Sequence, residues 1–97
     1  TSFARGKFYF KQWGICKIKQ ELNARDISSY CINKGLEEID PNDYRETLQK
    51  LILKKAAQFQ FDYSNQHKNK IHQYLYNKGY ESDIIWEELK NIITESN

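Results

Sequence analysis

The sequence predicts an all-α protein of two tandem three-helix units, six helices in all, with an elongated or curved outline. Apolar residues recur at the three- and four-residue spacing of helices, and no stretch alternates apolar with polar residues as a half-buried strand does. Small polar residues that cap helices precede several of these stretches. A third observation, an internal duplication, fixes the number of units.

The duplication becomes visible when the chain is shifted by 53 positions, which brings the second half onto the first without a gap. The identical pairs include large aliphatic residues at helical spacing, a pattern typical of a repeated unit. We expect one three-helix repeat over residues 1–40 and a second over residues 41–97, whose first helix is extended as a connector. The identical pairs are Ala4/Ala57, Phe8/Phe61, Lys17/Lys70, Ile18/Ile71, Gln20/Gln73, Leu22/Leu75, Ser29/Ser82, Ile32/Ile85, Leu36/Leu89 and Ile39/Ile92.

In the first repeat, apolar spacing predicts helices over residues 2–12 and 15–24. Gly14 is expected to end the first helix, because glycine adopts the left-handed conformation most readily. Ser28 or Ser29 then caps a third helix through its hydroxyl. Gly35 interrupts that helix, which favours the close approach of another helix.

In the second repeat, Asp40 is expected as the cap and Pro41 as the first residue of a long helix over residues 41–61. Helices over residues 66–78 and 81–94 complete the unit. Gly79 suits the position just after the end of the fifth helix.

The chain has 97 residues, enough for one small domain or a short array of repeats. It contains no Met, so we expect it to be a fragment that lacks something before Thr1. No apolar run reaches the length of a membrane span and no signal peptide is visible, so no membrane partner is expected. Cys16 and Cys31 are expected to be buried free thiols in a reducing compartment, with a disulfide or redox role as the alternative.

Charge is repeated along with the helices. Residues 1–25 carry +5, residues 26–50 carry −3, residues 51–75 carry +3 and residues 76–97 carry −3. The first two helices of each unit are therefore predicted to be basic and the third acidic. Stacked units would align the basic faces into a stripe for phosphate backbones or an acidic protein surface, the alternative being solvated faces that serve solubility. The candidate binding residues are Arg5, Lys7, Lys11, Lys17, Lys19, Arg25, Lys68 and Lys70.

Aromatic residues lie among the lysines of the first helix, an arrangement that also occurs where bases stack on exposed rings. The favoured interpretation is that Phe8 and Phe10 pack in the core and that Trp13 fills the junction between helices. Tyr9, Tyr63 and Tyr76 are expected to be the exposed rings.

No catalytic, metal-binding or cofactor-binding residues are predicted. His67 and His72 lie five residues apart, off the shared face of a helical metal pair, and are expected to be solvated or packed on helices. The sequence has no glycine-rich phosphate loop, nucleophile elbow or CxxC motif. The acidic pairs Glu37-Glu38 and Glu87-Glu88 are expected on exposed faces, which disfavours acid–base catalysis. We expect no enzyme and no cofactor.

Short motifs recur in both halves: Phe3-Ala4, Trp13-Gly14, Lys17-Ile18, Glu21-Leu22, Ile27-Ser28, Ile32 and Leu36 to Asp40 in the first half, and Lys70-Ile71, Leu75, Lys78-Gly79-Tyr80 and Ile85 in the second. Over almost the whole chain, these motifs resemble those of the RecX regulatory proteins. The first half is similar to the family's central repeat and the second half to its third repeat. Arg25-Asp26 departs from the usual Lys-Gly, so Asp26 is expected in a left-handed or altered conformation, and Ser2 replaces the Arg of an R-F-A signature.

The resemblance implies a cytoplasmic bacterial protein of DNA repair, recombination and the SOS response. Such a protein binds the RecA recombinase filament on single-stranded DNA, lies in its groove, and restrains ATP hydrolysis, strand exchange and co-protease activity. It also implies a preceding repeat, and we expect a monomer. Lys7, Lys11, Lys17, Lys19, Lys68 and Lys70 would face the filament. A stand-alone helical nucleic-acid-binding module and a purely structural interaction repeat are the alternatives.

Overall fold

The computed structural model describes residues 3–96, and within that range it contains six helices and no strand. The first three helices pack against one another, as do the last three. The molecule is a compact globule of 43 × 23 × 21 Å, about twice as long as it is wide. The predicted all-α fold of tandem three-helix units is confirmed, while the division at residues 40 and 41 stays a prediction. The helices are α1 (Phe3–Lys11), α2 (Ile15–Ala24), α3 (Ser29–Leu36), α4 (Pro41–Ala57), α5 (Asn65–Asn77) and α6 (Ser82–Ser96).

Side-chain caps begin the helices at residues that the sequence marks for that role. The Ser28 hydroxyl accepts a hydrogen bond of 3.2 Å from the backbone N–H of Cys31, at the start of α3. The Asp40 carboxylate accepts bonds from the next two backbone N–H groups, at 2.8 and 3.1 Å, and Pro41 occupies the first helical position of α4. Both predicted caps are confirmed. Ser64 caps α5 in the same way.

Two helices, α1 and α4, end differently from the prediction, and in both cases left-handed residues follow the helix. Gln12, with φ of 60°, follows α1, whereas Gly14 has φ of −75° and is the residue that caps α2. Gln60 and Phe61 have φ near 60°, so α4 ends at Ala57 rather than at residue 61. Asp26 was predicted in a left-handed or altered conformation, and the first of these is observed, with φ of 59°.

One hydrophobic core runs through both units and their junction. The rings of Phe8, Tyr44 and Tyr80 pack in sequence there, with centroids 5.5 and 5.2 Å apart and neighbouring planes tilted by 37°. Full burial of such a side chain contributes about 1.5–3 kcal/mol, so the junction is part of the core rather than a linker. The largest fully buried side chains are Tyr80, Phe8, Ile18, Leu48, Ile52, Ile71, Leu75, Ile85 and Leu89.

The 53-residue offset holds for the second and third helices of the units but fails for the first. Ala4 and Phe8 are buried, but Ala57 is exposed and the Phe61 side chain is 54% exposed. The connector between the first two helices spans residues 12–14 in one unit and residues 58–64 in the other. The two units therefore need a gap that the sequence comparison did not include.

Several predicted exposures are wrong, for three residues on helices and for Tyr63 in the connector between α4 and α5. Cys16 and Cys31 are free, as predicted, but both are exposed. Phe10 follows Phe8 by two residues, so it lies on the opposite side of α1, and its ring is 86% exposed. Tyr63 is half-buried against the core.

The predictions for the other aromatic residues, Phe8, Trp13, Tyr9 and Tyr76, are confirmed. Phe8 is in the core, Trp13 is partly buried against it, and Tyr9 and Tyr76 are exposed. No helix within residues 3–96 combines the length and the apolar character that a membrane crossing requires.

Candidate functional site

Cationic and aromatic side chains alternate along one side of the first unit. The Lys7 ammonium lies 4.7 Å from the centre of the Trp13 ring and 5.2 Å from that of Phe3. The Lys17 ammonium lies 4.5 Å from the same Trp13 ring, and the Arg25 guanidinium lies 4.5 Å from Phe3. Two rings therefore hold three cations from α1, α2 and the turn after α2.

The second unit repeats this arrangement with other residues. The Lys55 ammonium lies 4.9 Å from the Tyr74 ring centre and 5.9 Å from that of Phe59. Lys70 lies 5.8 Å from Phe59, and Lys78 lies 5.8 Å from Tyr74. Again two rings hold three cations, here from α4, α5 and the turn after α5.

The two rows meet at the junction between the units. A Cβ atom added to Gly79 would lie 2.4 Å from Cβ of Lys17, so the start of α2 and the end of α5 are in direct contact. The pKa of Lys78 is lowered, first by burial and then by repulsion from Lys17 and Lys54, so these three charges are close. We call the combined row the cation–aromatic ladder, which comprises Phe3, Lys7, Trp13, Lys17, Arg25, Lys55, Phe59, Lys70, Tyr74 and Lys78.

The ladder orients its cations more than it stabilises the fold. A cation–π contact at an exposed site contributes about 0.5–1 kcal/mol, while the aliphatic stems of lysines cover apolar surface and leave the ammonium groups in water. Arg25 also forms an exposed ion pair of 3.3 Å with Glu21, one helical turn earlier. The arrangement therefore presents a row of positive charges that extends over both units.

Two family models match this chain, one for each unit. The model of the second three-helix domain of RecX matches residues 1–36, and the model of the third matches residues 42–89. The chain belongs to the RecX family. RecX proteins are regulatory rather than enzymatic, so this chain is a RecX-type regulator. Comparison with curated proteins and with solved structures gives no match.

The ladder of this RecX chain contains half of the predicted binding residues, namely Lys7, Lys17, Arg25 and Lys70. Arg5 instead lies 5.0 Å from the Tyr9 ring, on another side of α1. Lys11, Lys19 and Lys68 also lie outside the ladder as defined by ring contacts. The ring contacts thus group four of the eight predicted residues, and a role in binding stays a prediction for all eight.

The sequence analysis missed Lys55 and Lys78 as candidates. Lys78 could have been identified from the sequence, because the 53-residue offset makes it the equivalent of Arg25, which was a candidate. Lys55 could not be found in this way, since its ring partner Tyr74 belongs to α5 and approaches it only in the folded chain. Phe10 was assigned to the core, although the structure exposes it.

The predicted acidity of the third helices is correct only for the second unit. α3 carries no acidic residue, because it ends at Leu36, just before Glu37. In α6, Glu88 is 3% exposed instead of lying on an open face. Its carboxylate accepts hydrogen bonds of 2.7 Å from Arg45 and from Gln49, both on α4. Glu88 therefore joins two helices rather than contributing to a charged surface.

The histidines were expected to be either solvated or packed on helices, and both pack on aromatic rings. His67 stacks on Phe59 at 4.4 Å and His72 stacks on Trp86 at 4.6 Å, each within 7° of parallel. Within residues 3–96, no three His, Cys, Asp or Glu side chains are grouped so that they could hold a metal ion. The chemistry available at the ladder is binding by charge and by aromatic surface.

Proposed function

We propose that this RecX chain binds the RecA recombinase filament on single-stranded DNA and restrains its ATP hydrolysis, strand exchange and co-protease activity. The cation–aromatic ladder is the observation that carries the proposal. It would face the filament, and the acidic side of α6 would face away from it. The chain would act as a monomer in the cytoplasm.

The charge of the ladder supports contact with an anionic partner. Its six cations are distributed over both units of a molecule 43 Å long, so several phosphates or carboxylates can be contacted at once. Each phosphate that a lysine or arginine neutralises releases condensed counterions, which makes such binding sensitive to salt. A single basic spot would not follow an extended filament in this way.

An exposed aromatic ring supports the nucleic-acid part of the proposal. Phe10 and Phe3 are seven residues apart, close to two helical turns, so they lie on the same side of α1. The Phe10 ring is 86% exposed, whereas Phe3 already packs on Trp13 and the core. A base that stacks on such a ring gains about 1–3 kcal/mol.

The test measures ATP hydrolysis by RecA filaments on single-stranded DNA as this chain is added. We expect inhibition at concentrations where naked single-stranded DNA is bound weakly. The double substitution Lys17→Glu and Lys70→Glu should raise the half-inhibitory concentration at least about tenfold, because it reverses two ladder charges.

The matched control is Lys19→Glu with Lys50→Glu, which makes the same charge change at two exposed positions outside the ladder. It should alter inhibition less than about threefold. Equal losses in both pairs would contradict the ladder, and tight salt-sensitive binding to naked DNA without inhibition would favour a stand-alone nucleic-acid-binding module.

A further inference from the structure

We propose a second binding site in a cleft between α5 and α6, which takes an acidic peptide segment with one bulky apolar side chain. The cleft has a volume of about 220 Å³ and is formed by apolar side chains together with two lysines. This site is separate from the function proposed for the ladder. The residues that line the cleft are Lys68, Trp86, Leu89, Lys90, Ile93 and Thr94.

The aromatic wall of the cleft is held in place before any partner arrives. Trp86 is 39% exposed, yet one face of its ring stacks on His72. The His72 ring is fixed in turn by a 2.7 Å hydrogen bond to the hydroxyl of Ser82 and by Tyr76, 5.7 Å away. An exposed ring with this support loses little conformational freedom on binding, which favours affinity.

The size and charge of the cleft indicate which partner fits. Sites for drug-sized ligands measure about 300–1,000 Å³, so a cleft of this volume suits a single side chain. Leu89 and Ile93 provide the apolar lining, and the ammonium groups of Lys68 and Lys90 can pair with carboxylates beside an inserted side chain. Two cations offer a phosphate backbone far fewer contacts than the six cations of the ladder, so the cleft is a poor site for nucleic acid.

The cleft and the ladder can be occupied together, because they lie on different sides of α5. Lys70, Tyr74 and Lys78 belong to the ladder and follow one another at intervals of four residues. Lys68, on the cleft side, precedes Lys70 by two residues, and His72 precedes Tyr74 by two residues. A two-residue step turns the chain by about 200° around a helix. A partner that binds in the cleft therefore leaves the ladder accessible.

The first unit also has a cleft at the equivalent positions, Ile15, Asn33, Leu36 and Glu37, with a volume of about 550 Å³, but its lining differs in chemistry. At the 53-residue offset, Asn33 stands where Trp86 is, and Glu37 stands where Lys90 is. Loss of the ring and reversal of the charge remove both features on which the proposed site depends. The aromatic wall and the two lysines of the cleft therefore belong to the particular sequence of the second unit.

The test measures fluorescence anisotropy of a short labelled peptide in which one Phe is flanked by Asp and Glu. Trp86→Ala should weaken binding at least about tenfold, as truncation of a buried anchor surface does. Because that change also removes a stacking partner of His72, a second variant with Lys68→Glu and Lys90→Glu is needed. It should weaken binding by a similar factor and remove most of its salt dependence, with circular dichroism confirming that both variants fold.

Three controls make the result decisive. A peptide with Ala in place of Phe should bind at least about tenfold more weakly, and neither Lys17→Glu with Lys70→Glu nor Asn33→Ala should change the affinity. The proposal is overturned if the Ala peptide binds equally well or if both cleft variants keep full affinity. It is also overturned if the cleft variants bind oligothymidylate more weakly than the parent but bind the peptide equally well. Filament inhibition is measured separately, so failure here leaves the ladder untouched.

Discussion

The turns that follow the second helix of each unit have equivalent sequence positions and different surroundings. In the second unit, the turn at residues 78–80 packs on the start of α2. The backbone N–H groups of Gly14 and Cys16 donate 2.8 Å hydrogen bonds to the carbonyls of Lys78 and Gly79. Tyr80 is fully buried and its hydroxyl donates to the carbonyl of Gln12 at 3.0 Å. This turn is the joint between the units.

In the first unit, the same turn is a surface. Ile27 stands at the position of Tyr80 and is 39% exposed, and Tyr30 shortly after it is 70% exposed. Asp26 stands at the position of Gly79, with the same left-handed sign of φ but with a side chain. A Cβ on Gly79 would lie 2.6 Å from the backbone nitrogen of Lys17, so a turn with Asp cannot receive a helix in the same geometry. One residue therefore separates a joint from an open surface.

The largest effect is expected where the joint is tightest. A Cβ on Gly14 would lie 2.2 Å from the carbonyl carbon of Gly79 and 2.3 Å from the backbone nitrogen of Tyr80, and backbone atoms cannot move aside. Gly14→Ala should lower the free energy of unfolding by at least about 3 kcal/mol in urea titrations. The control Gly6→Ala has open space around it and should stabilise α1 by about 0.5–1 kcal/mol. A Gly14→Ala protein as stable as the parent would contradict the joint.

A smaller effect is expected for Tyr44→Phe, which removes a hydroxyl that links the units. This hydroxyl accepts a 3.1 Å hydrogen bond from the N–H of Ile15 and donates to the carboxylate of Glu81. Its pKa is raised, chiefly by burial and then by the bond to Glu81, so it stays protonated as a donor. The variant should lose about 1–3 kcal/mol of unfolding free energy, because a half-buried N–H is left unsatisfied. The control Tyr30→Phe, at an exposed ring, should change stability by less than about 0.5 kcal/mol.

The third prediction concerns how the outer helices of the two units pack. Gly35 allows α3 to approach Ala4 of α1, whereas Glu88, at the equivalent position in α6, is held by Arg45 and Gln49. Removing one partner of a buried ion pair costs about 3–5 kcal/mol, but Arg45 is 43% exposed and water can solvate it. Glu88→Ala should therefore cost about 1–2 kcal/mol in thermal unfolding. The exposed neighbour Glu87, changed to Ala, should cost under about 0.5 kcal/mol, and equal effects would contradict the distinction.

The smallest effect is expected for Asp26→Gly, which gives the first turn the residue of the second. Glycine removes the steric cost of the left-handed conformation but adds freedom to the unfolded chain. We expect a gain of no more than about 1 kcal/mol in chemical denaturation, against a clear loss for Gly79→Asp. A large loss in Asp26→Gly would indicate that the Asp26 side chain has a structural role in this turn.

The sequence predicted the features that depend on local chemistry. Asp40 and Ser28 cap helices because of their own oxygen atoms, and Asp26 and Gly79 were assigned to turns from their positions alone. Features that depend on the approach of distant helices were not predictable in the same way. The burial of Glu88 needs Arg45 from another helix. The order of the ladder depends on side chains from four helices and from the segments that connect them.

Errors also arose where two plausible patterns competed. Phe8 and Phe10 of α1 were both assigned to the core, although two residues at this spacing cannot share one face of a helix. The offset of 53 residues was extended into the first helices because two identities fitted it. Connector length is set by the path between helices, and the sequence alone did not reveal that the second path is longer.

The backbone bonds at residues 14–16 and 78–79 have a further consequence for recognition. Because they fix the angle between the units, the charged groups on either side of the joint keep a constant separation. A partner whose anionic sites match that separation engages both halves at once and gains from their linkage, while one with a different spacing engages only one half. The protein can thus distinguish between two partners of equal charge when the distances between their charged groups differ.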